Sequence, residues 1–112
     1  MALAVGLGAF GAHALRERLD AYSLSVWERA VFYHFIHAIG LLIVPMLSKL
    51  RLVDAVHAGR AAWLLLAGIV LFSGSLYTLA LTGILTLGAV TPLGGISFIA
   101  AWVLLTFAAV RR

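Results

Sequence analysis

Long apolar runs separated by short charged stretches set the pattern of this chain. No Asp, Glu, Lys or Arg occurs before Arg16, and further apolar runs cover Val26 to Leu47, Ala61 to Thr82 and Pro92 to Val110. Runs of this length predict helices over 1–15, 26–47, 61–82 and 92–110. None shows the two-residue alternation of a barrel strand, and only closed barrels and helices satisfy their own backbone in lipid. The expected fold class is all-α: a four-helix transmembrane bundle in one domain, 1–112.

Local signals refine the boundaries. Ser25-Val26-Trp27-Glu28 has the form of a capping box, with Ser25 as N-cap and Glu28 reaching back. Pro45 is expected to end or kink the second helix, and Gly83 to cap the third. Thr91-Pro92 reads as an N-cap followed by proline at the first helical position; a start near Leu85 with a kink at Pro92 is the alternative. Residues 16–25 mix charges with Leu19, Tyr22 and Leu24 and are expected to form an interfacial loop. The first run reaches only ~22 Å, against ~30 Å of hydrocarbon, so it spans incompletely or is truncated. A cleavable signal peptide is its rival, since Ala12-His13-Ala14 has the small-x-small form, but the basic n-region of such peptides is lacking.

Composition excludes a soluble domain: 64% of the 112 residues are hydrophobic and 11% charged, too few charges to cover a soluble surface. The net charge of +4 does not point to nucleic acid, because its carriers sit at segment ends. Four spans put both termini on one side together with the 49–60 connection. That side holds Lys49, Arg51, Arg60, Arg111 and Arg112, and the other holds Arg16, Arg18 and Arg29. Five cations against three place both termini in the cytoplasm. With no cysteine, disulfides and thiolate metal sites are excluded.

The candidate chemistry is sparse. His34 and His37 share one face of the second helix, and His13 ends the first helix on the same outer side. With Glu28, and with Tyr33 nearby, they form a candidate ligand or proton site; metal, haem and proton exchange are all open by ligand type. The alternative is that each imidazole bonds a carbonyl, a hydroxyl or Glu28 and fixes helix packing. His57, in the charged connection, is expected to be solvated. Ser75, Thr78 and Thr82, with Ser73 and Tyr77 beside them, mark a possible polar path through the third helix. Small residues recur at helical spacing and are expected to seat neighbouring helices or a homo-oligomer seam: Ala4, Gly8, Gly11 and Ala12 on the first, Gly68 and Gly74 on the third, Gly94, Gly95 and Ser97 on the fourth. The acids Glu17, Asp20, Glu28 and Asp54 all lie outside the predicted spans, and no G-x-S-x-G elbow occurs.

Three blocks in order, G-A-F-G-A-H-A-L at 8–15, L-F-S-G-S-L-Y at 71–77 and V-T-P-L-G-G-I-S-F at 90–98, resemble the YgdD-type family of small membrane proteins, classed as a domain of unknown function. The resemblance covers essentially the whole chain and implies four transmembrane helices in a bacterial inner membrane, without supplying a reaction. Its members carry about ten further apolar residues at the N-terminus, enough to complete a span, which implies a truncated first helix here. The expected function is a non-enzymatic structural or interaction protein of the membrane, without a cofactor. Its partners would be the lipid bilayer and a second copy or a larger membrane complex. The alternative is a ligand, metal or proton module, or a small-solute transporter, built on the outer histidines.

Overall fold

Each apolar run folds as a helix. The computed structural model describes residues 1–111; Arg112, counted above among the cytoplasmic cations, lies outside the described residues. Helix α1 covers Ala2–Leu15, α2 Ala21–Lys49 and α3 Ala55–Thr82. A 3₁₀ turn over Leu85–Ala89 leads into α4, Thr91–Val110. α2, α3 and the combined stretch Leu85–Val110 are long and apolar enough to cross a membrane, whereas α1 is a shorter apolar helix. Two helices change pitch within their length: α1 widens to a π turn over Gly11–Leu15, and α3 does so over Ile69–Ser73.

Four boundaries differ from the pattern-based ones. The cap of α2 is Asp20, whose carboxylate accepts from the Ser23 amide at 2.7 Å, while the Ser25 hydroxyl donates to the Tyr22 carbonyl. An ionised carboxylate is the stronger acceptor for a first-turn amide, so the helix begins five residues before the expected box and the interfacial loop shrinks to 16–20. Pro45 does not end α2, which runs on to Lys49. Its missing amide leaves a gap on an exposed face, where no neighbouring helix depends on it. Thr91 is the first helical residue rather than the cap, and Pro92 follows at a position that needs no amide partner. Gly83 does cap α3, at φ 71°, a left-handed conformation that favours glycine.

α3 begins at Ala55 rather than near 61 because Asp54 caps it, accepting from the Val56 and His57 amides at 3.1 Å each. The same carboxylate meets the His57 ring at 2.5 Å, so His57 is tied to the cap instead of standing free in solvent. These bonds, first the His57 amide and then its ring, hold the Asp54 carboxyl below the usual carboxylate range. A depressed native pKa stabilises the fold above the unfolded value near 3.9 and loses that contribution as pH falls through the native one. The melting temperature is therefore expected to stay level from pH 6 to about 5 and to decline below about pH 4. Asp54→Asn, which keeps an acceptor but no charge, should flatten that decline.

The bundle packs around two apolar cores. One joins α2, α3 and α4 through Val44, Ala61, Leu65, Phe98, Ala101 and Leu105. The other joins α1, α2 and α3 through Leu15, Val26, Trp27, Ala30, Leu76 and Leu79. Large side chains such as Leu42, Trp63, Val70, Ile99 and Phe107 point outward, as a lipid-facing surface requires.

Candidate functional site

The small residues divide into those that seat a neighbour and those that do not. Gly11 lies under the Trp27 indole, Gly68 under the Phe98 ring and Gly94 against the Phe72 backbone, each so closely that a Cβ would overlap its neighbour. Gly8 approaches Val31 and Phe35 on α2, and Gly95 is in ordinary contact with Phe72. Two expected seats are not contacts between helices. Ala12 is exposed, and a Cβ on Gly74 would meet only the Ile69 carbonyl of its own helix. The π turns account for this, since an extra residue per turn rotates the small-residue ridge away from its expected face.

The expected convergence of His13, His34, His37 and Glu28 is not what the fold makes. His13 and Glu28 are exposed, while His34 and His37 are buried. No group of three His, Asp or Glu side chains suited to a metal ion forms among the described residues. The cause is again local: His13 sits in the π turn of α1 and is rotated outward. The two buried imidazoles serve different neighbours. His37 donates from Nδ1 to the Tyr33 carbonyl at 2.7 Å and stacks on Phe98 with ring centroids 3.5 Å apart. His34 Nδ1 meets the Tyr77 hydroxyl across the helix pair at 2.9 Å. A phenol is the better donor of that pair and Tyr77 has no other partner among the described residues, so Nδ1 accepts and the ring proton of His34 resides on Nε2.

The hydroxyls do not form a continuous path. Thr78 and Thr82 are exposed, and each donates to the carbonyl four residues before it, Gly74 and Thr78 respectively. Ser75 is buried; its hydroxyl donates to the Phe72 carbonyl and is hydrogen-bonded to the Thr91 hydroxyl at 2.7 Å. Back-bonding of this kind leaves no row of free hydroxyls for a solute. Other polar groups instead join one helix to the next. Ser73, fully buried in the π turn of α3, donates to the Ala30 carbonyl of α2 at 2.8 Å. Ser97 of α4 donates to the Leu64 carbonyl of α3 at 2.6 Å, and Trp27 Nε1 of α2 to the Leu7 carbonyl of α1 at 2.9 Å. The sequence flagged Ser73 and Ser97 as small or polar, but nothing in it names a carbonyl partner. The Trp27 clasp carried no signal beyond an aromatic ring in a capping box.

An all-helical chain of four helices, with three long enough to span and polar groups turned inward onto neighbouring helices, is a multi-pass membrane protein. Residues 7–95 match the family described as "Protein of unknown function (DUF423)", and the chain belongs to that family. It is similar to the UPF0382 membrane protein YwdK of Bacillus subtilis, 53% identical over 110 residues that make up 97% of this chain and 88% of that protein. A UPF0382 membrane protein of Staphylococcus epidermidis is 47% identical over 109 residues, 97% of this chain and 87% of its own length. One of Staphylococcus haemolyticus is 50% identical over 103 residues, 92% and 82% of the two chains. No solved structure matches the chain. The protein is thus a multi-pass bacterial membrane protein, and its relatives' names describe membrane proteins without naming a reaction.

Proposed function

We propose that this protein is a non-enzymatic membrane module that acts through packing. It is a small bundle with interlocked helices whose outer apolar faces meet lipid, a second copy of the chain or a larger membrane complex. The observation that carries this reading is the use of the interior polar side chains: Ser73, Ser97, Trp27, Ser75 with Thr91, and His34 with Tyr77 all join one helix to another. Side chains placed this way stabilise a bundle in lipid, each by about 0.6 kcal/mol on average. In this reading both termini and the 50–54 connection face the cytoplasm, where Arg51, Arg60 and Arg111 are exposed.

The test is chemical turnover. The protein, reconstituted in vesicles made from isotope-labelled bacterial lipids, is expected to leave every lipid species unchanged over hours compared with empty vesicles. A protein-dependent, time-linear conversion of any species would overturn the proposal.

A further inference from the structure

The seam between α3 and α4 opens outward into a groove of about 570 Å³. Arg60, Trp63, Leu64 and Ala67 recur at helical spacing and give it one face of α3, and Leu104 of α4 supplies the facing wall. Leu64 and Leu104 are half-buried and form the floor, while Trp63 and Ala67 stand exposed along the rim. Arg60, also exposed, is the one charged residue that lines it.

Helix length sets the depth of this groove. α3 has 28 residues, about 42 Å of helix, so centred on ~30 Å of hydrocarbon it extends ~6 Å beyond each face. Arg60 comes five residues after Ala55, where α3 begins, and so lies at that boundary, from which its side chain can snorkel to the phosphate level. Trp63 suits the interfacial belt, and Leu64 and Ala67 lie beside the first carbons of an acyl chain.

The charge on Arg60 is not balanced within the chain. The one ion pair among the described residues joins His57 to Asp54. At this end of the bundle Lys49, Arg51, Arg60 and Arg111 are exposed, and the single carboxylate there, Asp54, is taken by two amides of α3 and the His57 ring. Glu17, Asp20 and Glu28 stand at the opposite end, around the start of α2. A surplus cation above an apolar groove complements a molecule with an anionic head and a chain beneath it. A zwitterionic lipid answers less well, because its own ammonium already balances its phosphate.

We propose that this groove holds an anionic glycerophospholipid, its phosphate on Arg60 and one acyl chain along Leu64, Ala67 and Leu104 beside Trp63. The proposal rests on the packing role only for α3 and α4 facing lipid. Binding and turnover are read separately, so either can fail without the other.

The experiment uses the full chain in lipid vesicles, with Trp27→Phe and Trp102→Phe so that Trp63 is the only indole reporter. The probe is phosphatidylglycerol brominated at carbons 6 and 7 of one chain, titrated into unbrominated phosphatidylcholine; brominated phosphatidylcholine in unbrominated phosphatidylglycerol is the reverse arm. Quenching of Trp63 is expected to rise ahead of the mole fraction of phosphatidylglycerol and to saturate, with a preference of about fivefold over phosphatidylcholine, as one cation near the headgroups provides. Arg60→Gln should reduce that preference to about one, with helicity unchanged because the side chain is exposed, and Arg60→Lys should retain most of it. Lys49→Gln, which removes an exposed cation of the same end outside the groove, should leave it intact. Quenching that follows mole fraction equally for both lipids would overturn the proposal. So would a preference that survives Arg60→Gln, or one that Lys49→Gln reduces as much, which would mark a diffuse field in place of a site. Displacement of the lipid by inorganic phosphate at constant ionic strength would overturn it as well and make Arg60 a free-anion site.

Discussion

Gly94→Val is expected to leave little folded protein. The Gly94 Cα faces the main chain of Phe72 in the π turn of α3, and any Cβ there would overlap the Phe72 backbone nitrogen and Cα. Backbone cannot swing aside as a flexible side chain can, so α3 and α4 have to move apart. Separation would strip the Phe98 ring from Gly68 and break the Ser97 bond to the Leu64 carbonyl, and would open the core around Leu65, Ala101 and Leu105. Ordinary overpacking costs about 1–3 kcal/mol; a contact that divides two helices over their length should exceed that, reaching ~4 kcal/mol or more. Size-exclusion profile and melting temperature in detergent check this directly. Gly95→Ala is the matched control: its Cβ would stand 3.9 Å from the Phe72 ring, ordinary contact, and stability should stay within about 0.5 kcal/mol or rise.

Trp27→Ala should undock α1. The largest side chain that holds the short first helix is the Trp27 indole, which covers Gly11, donates to the Leu7 carbonyl, and packs with Phe10 and Tyr77 at centroid distances of 6.0 and 4.6 Å. At 2% exposure it is almost wholly enclosed, and truncating an enclosed aromatic costs about 3–5 kcal/mol. That loss falls on α1, because α2, α3 and α4 share a second core that Trp27 does not enter. Hydrogen exchange followed by mass spectrometry should show the amides of 6–15 exchanging much faster while those of 61–68 keep their protection. Trp27→Phe, which keeps a ring but loses the N–H, should cost about 1 kcal/mol and leave α1 docked.

These effects also show what could be read from the sequence. The number of helices and their order followed from apolar run length, and Gly83 could be named as a cap because only its residue type suits a left-handed terminus. Capping at Asp20 was hidden because Ser25 and Glu28 satisfy the same spacing rule; the choice between them depends on which amide an ionised carboxylate reaches. The early start of α3 was hidden for the opposite reason, since Asp54 looked like part of a charged connection. Glycines on the first, third and fourth helices were legible as packing residues, but their partners were not. Trp27, Phe98 and the Phe72 main chain come into place only through helix rotation, which two π turns alter without any sequence mark. The same rotations separate His13 from His34 and His37, so an outer cluster that spacing allowed became two buried imidazoles with different partners. Tyr77, read only as an added phenol, turned out to fix the tautomer of His34.

The central claim, that the polar interior holds helices together and performs no chemistry of its own, is tested most directly by a native mass spectrum of the protein released from its own membrane. The expected spectrum shows the polypeptide, alone or in whole-number multiples, with only neutral or phospholipid adducts that detach on mild activation. A metal ion or haem retained at one per chain through that activation would contradict the claim.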